Sequence, residues 1–377
     1  MPDRKSPLLK VVLAIALLAA SNSAGCTSSA SPVSPLPTAG ALTPSPTIAP
    51  TRPPTVTPPP TAEAASETTI PPTPTRAPIT VANAAQIAEV RRIDVAGLTS
   101  ASLSINGQTL AALGAGKVVL VAVDDPLAAP RPFPDLTGEA MLIAFSPFAD
   151  LLSVADAEGH IGLWNIQTGE AEMLTDLGNM ATAIAFHRRG TPLAVALSDG
   201  TISLLDALTG EPIATLDTDS TMYSVAFSPD GALLAAGGEN NTITLWDVQE
   251  RRALNSFGQG GPVRALAFSP DGVLLASADR KNVVLRSVVS GESLTTLSRH
   301  GAEVLALAFS ADSALLASGD ASGAVYLWDI VTGEIKAELD AGPAIRSLMW
   351  TPDRSTLVIA TEGGAIGLWQ VAPNSAY

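Results

Sequence analysis

Cysteine, histidine and positive charge are all scarce in this chain of 377 residues, and each shortage argues against a class of function. A single cysteine excludes an intramolecular disulfide and a metal site built from several cysteines. The formal charge of −15, from 21 basic against 36 acidic side chains, disfavours nucleic acid as a partner, because phosphate contacts need clustered Lys and Arg. Three histidines leave few groups for acid–base catalysis.

The one cysteine, Cys26, follows a segment with the order of a secretory signal. A basic start leads into the apolar run 11–20, which is shorter than the roughly 20 residues of a membrane-spanning helix. The small residues at 23–25 and Cys26 resemble the bacterial lipobox, in which the cysteine becomes the lipid-carrying N-terminus. The resemblance predicts a signal peptide over residues 1–25 and lipidation of Cys26. Ser23 stands where the lipobox usually has a branched aliphatic residue, which leaves ordinary secretory cleavage open.

Residues 26–85 are rich in Pro, Thr, Ser and Ala, and 15 of the chain's 30 prolines lie between residues 30 and 80. Such a segment has too few large apolar side chains to offset the entropy lost on ordering. The composition predicts a disordered linker. At lengths between coiled and fully extended, about 60 residues span roughly 45 to 190 Å, which would hold a folded domain away from a bilayer.

Beyond the linker the chain repeats itself at a fixed interval. The clearest marker is an aromatic residue that closes a short apolar segment in six evenly spaced units: Phe145, Phe186, Phe227, Phe268, Phe309 and Trp350. Leu103 takes the same place in the unit before Phe145, so there are seven units. A constant period in the range of about 40 to 45 residues indicates a repeat architecture more firmly than any single motif.

Each unit has the pattern of four strands. The aromatic residue is followed by a turn such as Ser228-Pro229-Asp230-Gly231, in which Pro presets φ and Gly suits the last place. A strand of small residues follows, then a polar turn, a third strand and a fourth. The inner strands are nearly continuous in Ala, Val and Leu, which is typical of sheets that are covered on both faces.

The third strand ends in Trp246-Asp247 and Trp328-Asp329, with near matches at Trp164-Asn165 and Leu205-Asp206, and in this the chain resembles the WD40-repeat family. The resemblance covers about residues 86–372 and implies a seven-bladed β-propeller, which we assign to residues 86–373. The last unit stops after its third strand, whereas residues 87–93 have the pattern of an isolated fourth strand. We therefore expect this N-terminal strand to complete the last blade, since an open ring would expose sheet edges.

The resemblance also implies a bracing hydrogen-bond network of His, Ser, Asp and Trp in the blades. Only His300 stands at the His place, so we expect the network to be largely missing. The Asp place is held by Glu158, Asp199, Asn240 or Ser322. In unit five Arg286 replaces Trp, and unit one has no Trp. Unit one should be the least regular, because prolines occupy its outermost strand: Pro126, Pro130, Pro132 and Pro134.

No cluster of catalytic groups is evident. The histidines, His160, His187 and His300, lie in three different units and are interpreted as structural or surface residues. No paired His or Cys ligands provide a zinc site, and the Gly-rich loops do not lead into a helix that would bind phosphate, so we expect no metal and no cofactor. The tryptophans of the third strands are interpreted as core.

We therefore predict a non-catalytic, membrane-tethered scaffold outside the cytoplasm, with a monomeric propeller that binds a protein and meets the membrane only through its lipid. A propeller enzyme or small-ligand sensor with a site at the central channel stays open as the alternative. Two carboxylates facing the channel, or a His with a carboxylate and a nucleophile, would favour the enzyme.

In the family that the chain resembles, partners often bind the ring face at the residues flanking the first apolar place of each inner strand. Tyr and Arg are common binding hot spots, and Met gives adaptable contacts. The candidates at these places are Tyr223, Arg264, Arg346, Met141, Met180 and Glu303. The two arginines either meet an acidic partner or pair with Glu303 and neighbouring carboxylates as a solvated rim.

Overall fold

The computed structural model describes residues 76–125, 128–133, 139–147 and 150–372. These residues form seven antiparallel sheets of four strands. The innermost strand of each sheet contacts the innermost strand of the next, and the last contacts the first, so the sheets are the blades of a closed ring. The predicted all-β, seven-bladed β-propeller is confirmed.

The strands of each blade are given from the innermost outward. Blades 1 to 4 consist of β2 (Leu98–Leu103), β3 (Thr109–Gly114), β4 (Lys117–Ala122) and β5 (Arg131–Pro132); β6 (Ala140–Phe145), β7 (Leu151–Asp156), β8 (His160–Asn165) and β9 (Ala171–Asp176); β10 (Ala181–Phe186), β11 (Leu193–Leu197), β12 (Thr201–Leu205) and β13 (Pro212–Asp217); and β14 (Met222–Phe227), β15 (Leu233–Gly238), β16 (Thr242–Asp247) and β17 (Arg252–Gly258).

Blades 5 to 7 consist of β18 (Val263–Phe268), β19 (Leu274–Asp279), β20 (Asn282–Ser287) and β21 (Ser293–Ser298); β22 (Val304–Phe309), β23 (Leu315–Asp320), β24 (Ala324–Asp329) and β25 (Ile335–Asp340); and β26 (Ile345–Trp350), β27 (Leu357–Thr361), β28 (Ala365–Val371) and β1 (Ile87–Asp94). One 3-10 turn, Ala84–Gln86, precedes β1. Within the described ranges, no helix has the length and apolar character needed to cross a bilayer.

The hydrophobic core is divided among the blade interfaces. Seven apolar clusters of buried residues lie in the described part of the chain, and each joins two neighbouring blades. Between blades 3 and 4, for example, Ile202 and Leu204 pack with Met222 and Leu234. Each blade therefore buries its broad faces only against its neighbours.

The ring is closed by the first strand of the propeller. β1 pairs with β28 from Ile87 opposite Val371 to Asp94 opposite Ala365, with a bulge between Glu89 and Arg91. This confirms that the N-terminal strand completes the last blade, with Asp94 as its last residue.

The ordered chain begins earlier than the sequence indicated. Residues 76–85, which we expected to belong to the disordered linker, pack against the ring. Ile79 is fully buried and donates its backbone N–H to the Arg354 carbonyl oxygen at 2.8 Å, and Ala84 is also fully buried. The expectation failed here because one buried isoleucine anchors a segment whose composition is otherwise that of a linker. The signal segment 1–25, Cys26 and the linker up to residue 75 lie outside the described residues.

Blade 1 is the least regular blade, as predicted. Among the described residues, its outermost strand β5 has two residues, which pair with Val119 and Leu120 of β4. An arginine replaces part of the missing ladder: Arg91 donates from its guanidinium to the carbonyl oxygens of Ala122 and Asp125, at 2.8 and 2.9 Å.

The expectation that the bracing network is largely missing is wrong for blade 6. Trp328 Nε1 donates to Ser318 Oγ at 2.7 Å, and Ser318 Oγ lies 2.7 Å from His300 Nε2. His300 Nδ1 lies 2.9 Å from Asp320 Oδ2. The sequence placed the acid of this network at Ser322. The structure shows that the acid is Asp320, two residues earlier, at the end of β23. A neutral His300 ring satisfies both neighbours, because it accepts from Ser318 and donates to Asp320.

Blade 5 contains a substituted version of the same network. Gln259, which takes the place of His300 in the preceding repeat, donates to Ser277 Oγ at 2.5 Å, and Arg286 at the Trp place donates to Gln259 Oε1 at 2.8 Å. The Arg286 guanidinium also lies over the Phe257 ring, 5.6 Å from its centroid. In blade 5 the hydrogen bonds of Arg286 and Gln259 therefore take the place of the Trp–Ser–His hydrogen bonds of blade 6.

Deleting residues 86–95 is expected to open the ring, because the edge of β28 and the last blade interface then lose their cover. The deletion should convert a monomer into aggregates or higher oligomers, as measured by size-exclusion chromatography with light scattering. A monomeric deletion variant with an unchanged melting temperature would contradict the role of β1.

Replacing His300 with Gln should remove a pH-dependent part of the stability. Burial lowers the pKa of His300 in the folded chain, although its hydrogen bond to Asp320 acts in the opposite direction. As the pH falls through about 6.5, the ordinary pKa of histidine, His300 is protonated in the unfolded chain but stays neutral in the folded chain. The free energy of unfolding should therefore fall from about pH 7 to about pH 5 more steeply in the wild type than in His300→Gln.

Denaturant titrations at several pH values measure this difference. Glutamine is a suitable replacement, because Gln259 already bonds Ser277 at the equivalent place in blade 5. His160→Gln serves as the control. The exposed His160 has its pKa raised by its hydrogen bond to Asp156, so its loss should alter the slope in the opposite direction. Parallel profiles for the wild type and His300→Gln would contradict a neutral, buried His300.

Candidate functional site

The innermost strand of every blade carries a bulge near its start. The pairing with the next strand shifts there by one residue, and the second residue of the strand leaves the ladder. These second residues are Thr99, Met141, Thr182, Tyr223, Arg264, Leu305 and Arg346. A bulge re-aims a side chain out of the alternation of its strand. We call the surface at these seven residues the start face, and the opposite surface, at the turns that follow the inner strands, the end face.

The candidates Tyr223, Arg264 and Glu303 form one continuous contact across blades 4, 5 and 6. The Arg264 guanidinium carbon lies 4.3 Å from the centroid of the Tyr223 ring. Its Nε donates to Glu303 Oε1 at 3.0 Å. The Arg264 and Glu303 side chains are 36% and 37% exposed, so the contact lies at the surface. We call these three residues the start-face cluster.

The other three candidates lie on the same face but apart from this cluster. Arg346 donates to Glu362 Oε1 at 2.6 Å in blade 7. Met141 and Met180, in blades 2 and 3, are 41% and 38% exposed. Among the described residues, no hydrogen bond, ion pair or ring contact joins these three to the cluster. The structure therefore brings together half of the residues singled out by the sequence.

Both arginines are paired within the ring, which corresponds to the rim interpretation of the two that the sequence left open. Exposed ion pairs of this kind contribute about 0 to 1 kcal/mol to stability and are readily exchanged. Only Nε of Arg264 is bonded to a described residue, which leaves its two terminal nitrogens as donors toward solvent. The pairing orients Arg264 over Tyr223 without consuming its hydrogen-bonding capacity.

Glu362 was missed by the sequence reasoning. It lies in the turn after β27, outside the places that flank the inner strands, and it bonds Arg346 on the start face. The repeat pattern could have identified Glu362. In each blade the turn after the second strand lies on the same face as the start of the first strand, because the two strands are antiparallel.

His160 does lie close to two carboxylates, Asp156 and Glu158, with one ligand atom of each within 4.8 Å of the others. Asp156 is already engaged: Oδ1 accepts the backbone N–H groups of residues 158, 159 and 160, and Oδ2 bonds His160 Nδ1 at 2.8 Å. The geometry is that of a capped turn. His187 is buried in its turn and His300 belongs to the network of blade 6.

The end face holds a cavity of about 270 Å³ at the mouth of the central channel. It is lined by the ends of the inner strands of blades 1 to 4 and the turns that follow: Leu103, Ile105, Ala144, Phe145, Ser146, Pro147, Phe186, Arg188, Phe227, Ser228 and Pro229. Arg188 is the one ionisable side chain among these described lining residues. The lining therefore offers no carboxylate pair and no histidine of the kind that would favour the enzyme alternative.

Comparison with protein families agrees with this architecture. The WD domain, G-beta repeat, matches residues 210–247, 251–285 and 291–329. The WD40 domain of anaphase-promoting complex subunit 4 matches residues 143–225. No curated protein matches the chain.

Seven four-stranded blades in a closed ring define the folded part as a β-propeller. The repeat matches, together with Trp246-Asp247 and Trp328-Asp329 at the ends of third strands, make it a WD40-repeat propeller. This confirms the resemblance drawn from the sequence. Propellers of this kind commonly mediate protein–protein interactions and are typically non-catalytic scaffolds.

Proposed function

We infer that this protein is a non-catalytic scaffold, held at a membrane outside the cytoplasm by a lipid on Cys26, that binds a protein partner through the start face of its monomeric propeller. The observation that carries the binding proposal is the start-face cluster of Tyr223, Arg264 and Glu303. It forms a continuous contact over three blades at the surface of a rigid ring.

The composition of the cluster suits a protein partner. Tyr and Arg are enriched at binding hot spots, because each combines a large contact area with directional hydrogen bonds. Arg264 is held in place by the Tyr223 ring and by Glu303, so less conformational freedom is lost when its terminal nitrogens bind a partner. A carboxylate or carbonyl oxygen of the partner is the expected acceptor.

The described chain meets the ring on the side opposite the proposed binding surface. Residues 76–79 run along the end face, where Arg76 pairs with Asp124 at 2.7 Å and Ile79 bonds Arg354. The chain therefore joins the ring on the end face, opposite the start-face cluster.

Combined replacement of Tyr223, Arg264 and Arg346 by Ala is expected to weaken partner binding by at least about 2 kcal/mol, as hot-spot truncation does elsewhere. Arg264 and Arg346 form ion pairs at the surface and Tyr223 is half-buried, so the melting temperature should change little. Proteins recovered with the full chain from solubilised membranes, identified by mass spectrometry, supply the partner for the affinity measurement.

Leu208→Ala with Arg251→Ala is the matched control, because both residues are exposed in turns between third and fourth strands and open on the end face. This control should keep the wild-type affinity. If the control loses the partner and the triple variant retains it, the binding surface lies on the end face instead.

Cys26→Ser should release the protein from membranes, because the lipid supplies the attachment at about 0.8 kcal/mol per buried CH₂ group. Fractionation after a high-salt wash measures the effect, with Ser28→Ala as the control that keeps the cysteine. If the Cys26→Ser protein still sediments with membranes, the lipoprotein proposal is wrong.

A further inference from the structure

The turn that follows each inner strand has a second place, and in blades 1 to 4 the residue at this place lines the end-face cavity. In six blades this place holds an uncharged residue, and in blade 3 it holds Arg188. The series in blade order is Ile105, Pro147, Arg188, Pro229, Pro270, Ala311 and Pro352. A single exposed arginine therefore stands at the rim of the cavity, on a ring whose net charge is strongly negative.

The cavity beneath Arg188 is apolar. It is lined by three half-buried phenylalanines, Phe145, Phe186 and Phe227, one from each of three neighbouring blades. Ile105, which is 64% exposed, stands at its rim. A large apolar side chain left this exposed beside three aromatic rings is a surface that a ligand would cover.

The turn that carries Arg188 is fixed in place by its neighbour. The ring of His187 packs edge-on against Phe227 of blade 4, with centroids 5.4 Å apart, and accepts the Arg189 N–H at 3.1 Å. Any Cβ at Gly231 in the next turn would collide with the His187 ring. The contact holds the turn against blade 4. The backbone of Arg188 is therefore fixed at the edge of the cavity, and only its side chain is free to adjust to a ligand.

Arg188 makes no ion pair with the residues that the structure describes. Asp230 of the next turn has its pKa lowered, chiefly by its hydrogen bond from Ser228 and to a smaller extent by the charge of Arg188. Its Oδ1 accepts from Ser228 Oγ at 2.6 Å and from the Ala232 N–H at 3.0 Å. On the other side of the ring the corresponding turns are tied to one another. Arg354 pairs with Asp312, and the Asp271 N–H bonds Ser313 Oγ.

We propose that the end-face cavity binds a monocarboxylate that carries one apolar group, with the apolar group on the three phenylalanine rings and the carboxylate on Arg188. The volume of about 270 Å³ lies just below the roughly 300 to 1,000 Å³ of sites for drug-sized ligands, which fits a group the size of one aromatic side chain. Arginine binds a carboxylate through two parallel N–H donors, and the apolar lining rejects a ligand that is charged throughout.

The same chemistry is presented by a free aryl or alkyl carboxylic acid and by the C-terminal residue of a polypeptide. Titration calorimetry on the full chain tests the shared chemistry with N-acetyl-L-phenylalanine as the probe. Its amide lacks the charge, and N-acetylglycine lacks the apolar group. The variants are Arg188→Gln and, as the matched control, Arg189→Gln, whose side chain is exposed in the same turn but does not line the cavity.

The wild type should bind the acid with a Kd of about 1 mM or tighter, and the amide and N-acetylglycine at least about tenfold more weakly. Arg188→Gln should lose this preference and bind acid and amide alike, whereas Arg189→Gln should behave as the wild type. No binding by the wild type up to about 10 mM probe, or an equal loss in both variants, would overturn the proposal. A peptide ending in Phe that binds more tightly than 3-phenylpropionate identifies a chain terminus as the ligand, and the reverse order identifies a free acid.

Discussion

The pairing of β1 with β28 is the interaction on which the rest of the structure depends. The two strands come from opposite ends of the propeller, yet they share a ladder from Ile87 to Asp94. Each blade buries its faces only against its neighbours, so all seven apolar clusters require a closed ring. The bulge at Val90 in β1 also places Arg91 where it holds the segment after β4. The strand β1 therefore completes the last blade and, through Arg91, also holds the outer part of blade 1.

Most of the fold could be predicted from the sequence, because the even spacing of the aromatic markers from Phe145 to Trp350 is a property of the chain itself. The orphan strand was also visible, since the last unit ends one strand short. The bulges could not be predicted, because a bulge is a relation between two paired strands. Asp320 was missed for a related reason. Its Oδ1 accepts the N–H groups of Ser322 and Ala324, so the same carboxylate that shapes the turn also reaches His300.

The candidate site shows a similar limit. Equivalent places in adjacent blades lie side by side, so the repeat predicts that Tyr223 and Arg264 are neighbours. It cannot predict that the guanidinium stacks on the ring or that Glu303 orients it, since both depend on side-chain conformation. Arg188 was within reach of the sequence, because it breaks a series of uncharged residues at one place in the turn. The family resemblance points to the start of the inner strands, whereas Arg188 lies in a turn at their opposite end.

Side-chain hydrogen bonds brace both halves of the ring. On the side of blades 1 to 4, Arg91 bonds the Ala122 carbonyl oxygen and Thr182 Oγ1 donates to the Met222 carbonyl oxygen of the next blade. Blades 5 to 7 carry side-chain braces: Gln259 with Ser277, Ser318 with His300, and Arg354 with Asp312. The WD40 repeat matches include blade 4 as well as blades 5 and 6, and they end at residue 329. The cavity lies beside blades 1 to 4, where Arg188 stands alone among the prolines and Ile105 is exposed. Arg188 and Ile105 depart from the repeat pattern, and both lie in the lining of the apolar end-face cavity. A departure from a consistent pattern that leaves a charge and an apolar surface uncovered is the signature expected of a binding site rather than of the scaffold.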